Sequence, residues 1–514
     1  MSEENFYITT PIYYPSGNPH MGHAYSSIIA DIFARFKRLE GKNVYFLTGT
    51  DEHGLKIQRE AEKNKKDVKI FCDEVSQKFE DLAKTLNLSN DDFIRTTEKR
   101  HHQSVKAIWS RLLDSGDIYL SKYAGWYSVS DEAYYTEDEI TSEKGRKISK
   151  SSGSQVDWFE EESYFFKLSS WQDRLLQYYE KHPNFISPKS RKNEIVQFVK
   201  SGLNDLSVSR TSFKWGIEVP NDDKHIVYVW LDALTNYISA LNYPNIEDPL
   251  YKKFWPANIH IIGKDILRFH AVYWPAFLMA AKISLPQKIF GHGWILSDEK
   301  KMSKSLGNIL DPLDIINKYG IDQLRYYLIK EVSLGNDGNI SMENLKNCIN
   351  NDLANNFGNL CQRVFSFIEK NCEGRLPKPS VLIEDDNNLL DNLIKKVPEL
   401  ISDMNNQSLN DYIKKVVEFS FNANKYFNDL QPWSLKKTNI ERMNTILFTI
   451  VTQIKNISIL LSPIIPLSSE KILDIMNLKK KEQKLTAINN ADIFNHDLKF
   501  KKITILFKKI EDDN

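Results

Sequence analysis

Hydrophobic positions near the start of the chain switch between two periods. Phe6-Tyr-Ile-Thr-Thr10 is a short β-rich run, and runs of that kind bounded by turn residues predict strands. After a loop containing Pro and Gly, Tyr25, Ile28, Ile29, Ile32, Phe33 and Phe36 recur at i, i+3, i+4 and i+7 spacing. Those positions share one face of a helix, so the spacing predicts an amphipathic helix. Gly41 ends it, and Val44-Tyr-Phe-Leu47 predicts the next strand. Strand, helix and strand in that order form a βαβ unit, which implies a parallel sheet.

The pattern breaks between about Asp114 and Asp223, where Ser, Glu, Lys and Tyr crowd the chain and periodicity fades. An inserted domain is the expectation. Strand signals return at His225-Ile-Val-Tyr-Val-Trp230, Asn258-Ile-His-Ile-Ile262 and Lys288-Ile-Phe290. Beyond Ser341, helical patterns dominate, as in 345–368 and 440–461, predicting an all-α bundle. The expected organisation is therefore a Rossmann-like α/β parallel-sheet domain in two halves, 1–113 and 224–290, with a connective insertion at 114–223. A linker at 291–344, a helical bundle at 345–499 and a tail or short strand at 500–514 follow.

The chain has 514 residues, too many for one hydrophobic core. Its mean hydropathy of -0.45 is that of a soluble globular chain. Lys+Arg and Asp+Glu both total 68, for zero net charge. A neutral balance argues against indiscriminate coating of DNA, yet it leaves room for a local basic face. The best membrane candidate, Ile446–Leu461, is interrupted by Thr449, Gln453, Lys455 and Asn456, so no span is expected. Cys72, Cys348, Cys361 and Cys372 show no metal-ligand spacing. With no leader pattern either, a reducing cytoplasm is the expected location.

Two stretches carry the chemistry. Pro19-His20-Met-Gly22-His23 lies between the first strand and its helix. There a helix N-terminus points unpaired N–H groups at anions, and the imidazoles can donate to phosphate oxygens. Gly22 leaves room where an adenine would pack. Far downstream, Lys300-Lys301-Met-Ser303-Lys304-Ser305 precedes Leu306-Gly-Asn308. Lysines on a mobile loop can neutralise charge as pyrophosphate departs. Alone, the first stretch also admits a reading as two surface histidines in a loop, the lesser of the two, and the second is usually a solvated turn; their pairing decides.

The pair resembles the HIGH-type tetrad (His20–His23) and KMSKS loop (Lys301–Ser305) of class I aminoacyl-tRNA synthetases. Within that class the chain is similar to the methionyl-tRNA synthetases along nearly its whole length. The similarity rests on Tyr7-Ile-Thr-Thr-Pro-Ile-Tyr-Tyr14, Leu47-Thr-Gly-Thr-Asp-Glu-His-Gly54, Tyr228-Val-Trp-Leu-Asp-Ala233, Ile262-Gly-Lys-Asp-Ile266 and Phe357-Gly-Asn-Leu360. The resemblance implies methionine–tRNA ligase activity, forming methionyl-adenylate and pyrophosphate from methionine and ATP. The methionine then passes to the terminal ribose of tRNA(Met), for initiation and elongation.

Roles implied by the resemblance follow. His20 and His23, with Gly22, hold ATP phosphates; Lys301, Ser303 and Lys304 hold the leaving pyrophosphate; Gly263 and Asp265 contact the ribose. Lys264 and Arg210 are further candidates for the substrate carboxylate or the phosphates. Asp51 takes the methionine ammonium, with Ile12 and Tyr14 on the first loop. Trp230, Ala233 and Tyr237 sit at helical spacing, and Ile266, His270 and Trp274 fall at i, i+4 and i+8. Together they fit an apolar, aromatic-walled slot, which suits a thioether. Asn359 and Arg363, at i, i+4, and Trp433 are implied readers of the anticodon. Mg²⁺ accompanies ATP, with no protein cage for it visible.

Two departures from the family pattern stand out. Many relatives carry a zinc knuckle in the insertion, but here Ser128 and Asp131 occupy matching places and no Cys lies between Cys72 and Cys348. No zinc is expected, and aromatics such as Trp126, Tyr134 and Tyr135 are expected to hold the insertion. The appended C-terminal dimerisation domain of some relatives has no counterpart, so a monomer is expected. A sibling class I synthetase would need other residues around Asp51 and Trp230. A catalytically dead RNA-binding paralogue would be expected to lose the tetrad or the second loop lysine, and both are present.

Overall fold

The computed structural model describes residues 4–131, 133–143, 145–297, 300–301, 310–488, 490 and 493–511. It divides into two compact units, one of residues 5–19 and 44–292, the other of 1–4, 20–43 and 293–514.

The first unit is built on a six-stranded sheet in the order Asp92–Arg95, Asn43–Thr50, Asn5–Thr9, Ile259–Gly263, Ile289–His292, Ile186–Ser187. Its strands are parallel, with Ile8 opposite Ile259 and Ile262 opposite Gly291. Ile8, Leu47, Ile261, Ile262 and Ile289 are fully buried, the near-continuous apolar reading expected of a sheet covered on both faces. Strand order reverses at Asn5–Thr9, and open parallel sheets bind ligands beyond the carboxyl ends of strands at such a point. The loops leaving those ends carry Ile12 and Tyr14, Asp51, and Gly263 to Ile266.

The insertion is antiparallel. Ile118–Ser128 and Asp157–Phe166 form its long hairpin, flanked by Ala133–Tyr135 and Leu206–Ser207. Two readings change here. The run at 225–230 is not a strand of the parallel sheet: Asp222–Val227 pairs antiparallel with Glu218–Val219 and Ser209–Arg210, and Val229–Leu234 is helical. The turn that closes this hairpin has Asn221 at φ +66°, a left-handed conformation Asn tolerates. An apolar run alone does not distinguish these arrangements. Ile186–Ser187, within the stretch read as insertion, is the edge strand of the parallel sheet.

The second unit holds the helix Met21–Leu39 and a helical body. Leu409–Leu430 packs against Glu384–Asn405 and Ile440–Leu461. Ile440–Leu461 is long and apolar enough to cross a membrane, but it is almost wholly buried inside the unit. Its polar residues are accommodated there, with the Lys455 ammonium donating to the carbonyls of Ala487 and Asn490. The stretch read as one helix from Leu345 is interrupted by a π-helical segment, Ile349–Gly358. Residues 501–510 form no regular strand; the chain end is held by Asn350, which exchanges two bonds with the backbone of Ile510. Arg325 and Asp31, both fully buried, pair at 2.7 Å and fix Met21–Leu39 to the helix Ile321–Glu331.

Candidate active site and anticodon-type site

The tetrad begins as a helix cap. His20, extended at φ -135°, is the N-cap of Met21–Leu39, and its Nδ1 accepts from the Gly22 N–H at 3.1 Å. The His20 N–H in turn donates to His23 Nδ1 at 3.1 Å. The rings stack with centroids 3.7 Å apart. A Cβ on Gly22 would meet the His20 ring at 3.0 Å, so glycine is what lets that ring fold over the helix start. Both Nδ1 atoms accept backbone protons, which leaves the ring N–H of each neutral imidazole on Nε2. Desolvation, then the neighbouring His20, pushes His23 well below the ordinary histidine range. The pair therefore presents N–H donors at a helix N-terminus, a setting suited to anions.

In the other unit, Asp51 ends Asn43–Thr50 and is 6% exposed. Its backbone N–H donates to Tyr13 O at 2.9 Å. The next residue pins the loop: fully buried Glu52 takes Arg95 Nε at 2.6 Å and Nη2 at 3.0 Å, plus the hydroxyls of Thr97 and Thr50. Trp215 Nε1 donates to Glu52 O at 2.6 Å. Tyr14 reaches back to donate to His53 O at 2.8 Å.

In the same unit an aromatic cluster assembles around Tyr237. Its hydroxyl meets His270 Nε2 at 2.7 Å, and the Trp274 ring lies 6.2 Å away. His270 Nδ1 lies 2.9 Å from Ile266 O, so Nδ1 carries the proton and Nε2 accepts from Tyr237. Burial lowers His270 to about 4, so the ring is neutral at physiological pH. Trp230 is partly buried, and its ring is 6.5 Å from His270. Ala233 is buried on the same helix, and Ile12 and Ile266 pack against this core. The nine residues read as a methionine slot thus all belong to one unit.

Sequence spacing missed Phe269, which stacks flat on Trp230 at 3.6 Å and 8°. The reason is local: Phe269–Tyr273 is a π-helical turn, not a continuation of a regular helix. The extra residue per turn shifts which side chains share a face. Gly263 ends the neighbouring strand, and a Cβ there would meet Asp265 Oδ1 at 2.6 Å. Glycine permits the carboxylate to fold back over the strand end.

Arg210 does not reach an open site. It is 1% exposed, donates to Ser207 Oγ and Ser209 O, and sits among the rings of Tyr228, Tyr134 and Tyr127 at 4.3, 4.4 and 5.6 Å. Its contacts join the insertion to the small sheet. Ser303 and Lys304 lie outside the described residues, as does the side chain of Lys301, whose backbone pairs with Leu296.

The helical unit carries the second site. Trp433 is 43% exposed and meets Phe427 edge-on at 5.7 Å. The Arg363 guanidinium lies 5.8 Å from the Trp433 ring and 5.2 Å from Phe427. Asn428 Oδ1 accepts from Arg363 Nη2 at 2.7 Å and so orients the fork. Asn359 is exposed one turn before Arg363. Phe427 and Asn428 were not read from sequence, since nothing there couples them to Arg363. An exposed indole beside an oriented guanidinium has the geometry on which an unstacked base can lie.

The zinc positions hold another arrangement. Asp131 accepts the hydroxyls of Tyr135 and Ser154 at 2.7 Å, and that of Ser152, while its N–H donates to Ser128 Oγ at 3.3 Å. A carboxylate engaged by three hydroxyls and a hydroxyl at the companion place do not fit a thiolate zinc knuckle. Among the described residues no group of three or more His, Cys, Asp or Glu is placed to hold a metal. The aromatics expected to hold the insertion do so in part: Trp126 lies under the Lys147 ammonium at 3.9 Å and bonds Glu137. The serine–aspartate cluster supplies the rest.

Residues 6–365 match the family "tRNA synthetases class I (M)", and residues 376–514 match "Anticodon binding domain of methionyl tRNA ligase". A methionine–tRNA ligase of Brucella suis is 51% identical over 476 residues, covering 93% of this chain and 92% of its own. One from Rickettsia felis is 48% identical over 494 residues, covering 94% of each. Among solved structures, Mycobacterium tuberculosis methionyl-tRNA synthetase in complex with methionyl-adenylate superposes with TM-score 0.96 at 42% identity, covering 98% of this chain and 99% of that one. With family matches spanning nearly every residue and full-length relatives at half identity, the chain belongs to the methionyl-tRNA synthetases of class I.

Proposed function

We propose that the chain activates methionine with ATP and transfers it to tRNA(Met), with the side chains described above in the following roles. A methionine carboxylate oxygen attacks the α-phosphorus of ATP; that P–O bond forms as the bond to the β-phosphate breaks, releasing pyrophosphate. A hydroxyl of the terminal tRNA ribose then attacks the acyl carbon, and AMP leaves. No protein nucleophile is required, so the protein contributes position and charge.

Asp51 takes the methionine ammonium, and the thioether lies among Trp230, Phe269, Tyr237 and His270. A neutral His270 suits that slot, because an imidazolium would add charge beside an apolar side chain. His20 and His23 donate Nε2–H to phosphate oxygens. Gly263 and Asp265 receive the ribose, and Lys301, Ser303 and Lys304 neutralise pyrophosphate. Magnesium arriving with ATP would supply further charge neutralisation, with no side chain of this chain assigned to hold it. Asn359, Arg363 and Trp433 read the anticodon of both initiator and elongator tRNA. The protein works as a zinc-free cytoplasmic monomer.

The observation that supports this reading is that the aromatic cluster of Trp230, Phe269, Tyr237 and His270 and the loop bearing buried Asp51 belong to one unit built on the parallel sheet. Packing separates methionine from a side chain one carbon shorter by only ~1–3 kcal/mol, so homocysteine is the expected near-cognate competitor. Pyrophosphate exchange into ATP, run with each of the twenty amino acids, tests the reading. Methionine alone should stimulate it strongly. Stimulation by leucine or cysteine would overturn the substrate, and tRNA binding without any exchange would favour a dead paralogue.

A further inference from the structure

Beneath the slot lies a buried charged cluster outside the roles assigned above. Asp232 is fully buried in the helix Val229–Leu234. Its Oδ2 is 2.7 Å from His53 Nδ1 and its Oδ1 is 2.6 Å from His101 Nε2. His53 and His101 are themselves buried, and His101 Nδ1 lies 3.1 Å from Ser239 Oγ. Burial alone would raise the Asp232 pKa, but the two histidines hold it well below the usual carboxylate range. An ionised carboxylate only accepts, so the ring nitrogen facing each oxygen carries a proton.

The positions of these groups along the chain matter more than their charge. His53 stands two residues after Asp51, and Asp232 two residues after Trp230. The His53–Asp232 bond thus joins the loop that supplies the ammonium partner to the helix that supplies the thioether wall. Tyr14, on the remaining loop, donates to the carbonyl of the same His53. One residue therefore meets all three segments, its imidazole bonding the helix and its backbone carbonyl taking the Tyr14 hydroxyl. Replacing a buried ionic group by apolar residues is often neutral or stabilising, and fixing register is the best-attested use of such groups.

We propose that Asp232 is a positioning residue for methionine recognition, holding the Asp51 loop against the Trp230 helix through His53, with His101 anchoring the carboxylate from its other oxygen. The proposal rests on the functional reading above and adds a residue that touches no substrate. Asp232→Asn keeps the shape but removes the charge. Outer partners that orient binding groups typically contribute 10–100-fold, so the methionine KM should rise about tenfold or more. The ATP KM should move less than twofold.

The two histidines supply the discriminating pair, since His53→Phe and His101→Phe each keep a ring but remove one buried bond from the same carboxylate. If the cluster serves stability alone, both variants should lower the melting temperature and leave methionine KM alike. Positioning through His53 instead predicts a severalfold rise in methionine KM for His53→Phe and less than a twofold rise for His101→Phe. Equal KM values in that pair would overturn the proposal, as would a folded Asp232→Asn protein with unaltered methionine KM. Should Asp232→Asn not fold, the histidine pair still decides. Absence of methionine-dependent exchange in the unsubstituted protein would sink the functional reading, and this proposal with it.

Discussion

The two sites are built on opposite physical plans. In the unit that holds Asp51 the side chains read as the slot and its supports are tightly held: Glu52 is occupied by Arg95 and two threonines, His270 by Tyr237 and Ile266, and Trp230 lies flat on Phe269. Around Trp433 the working surface faces water, and Asn428 and Phe427 support Arg363 from one side. A small apolar ligand offers little to grip, so its recognition depends on a cavity whose walls do not yield. A nucleotide base brings a large π-face, so an exposed platform with one oriented cation suffices.

Removing the buried charge should be the largest blow to this contrast. For Asp51→Ala the loss of a desolvated ammonium partner corresponds to about 2–5 kcal/mol, hence a fall in methionine kcat/KM on the order of 10²- to 10³-fold in exchange kinetics. At the exposed site, Arg363→Ala should reduce tRNA charging by about 10- to 100-fold, with methionine-dependent exchange within twofold of normal. A bidentate-capable guanidinium reading a base edge contributes ~1–3 kcal/mol. Asn428→Ala leaves Arg363 in place but loosens it, so only part of the guanidinium's contribution is lost. Charging should fall severalfold, less than for Arg363→Ala; an equal or larger fall would show that Asn428 touches RNA itself.

Smaller effects test the rigidity of the enclosed site. Tyr237→Phe leaves His270 Nε2 without its donor, and stability should drop by about 1–2 kcal/mol in urea unfolding, with a modest rise in methionine KM. Acid should also act there. His270 and His102 are lowered to about 4 by burial, and His260 lies well below its ordinary range for the same reason. The folded state keeps these rings neutral while the unfolded chain protonates them near pH 6.5. The unfolded state thus binds more protons between those values, so stability falls as pH drops from about 6.5 towards 4. Urea midpoints at pH 7.5 and 5 measure this, and a flat profile would argue that the rings are solvated.

Local features were readable from the chain where one segment carries the signal. The tetrad and the helix of 440–461 are contiguous, and a short motif or periodicity exposes them. Features made by tertiary pairing were not. Asp232 and His53 are 179 residues apart, and nothing in either neighbourhood announces the bond. Ile186–Ser187 is too short a strand for any pattern, and the hairpin ending at Val227 looks like a buried parallel strand because both are apolar. The π-helical turn at Phe269–Tyr273 moved Phe269 onto Trp230 against regular helical spacing. Asp131 was read only as a missing zinc ligand, whereas its hydroxyl partners come from Tyr135 and a later serine-rich turn.

The separation of the two plans is tested most directly by Trp433→Ala, measured in methionine-dependent pyrophosphate exchange and in tRNA charging on the same preparation. Charging should weaken by an order of magnitude or more while exchange stays near that of the unsubstituted protein. Equal losses in both reactions would contradict the division between an enclosed methionine slot and an open RNA platform.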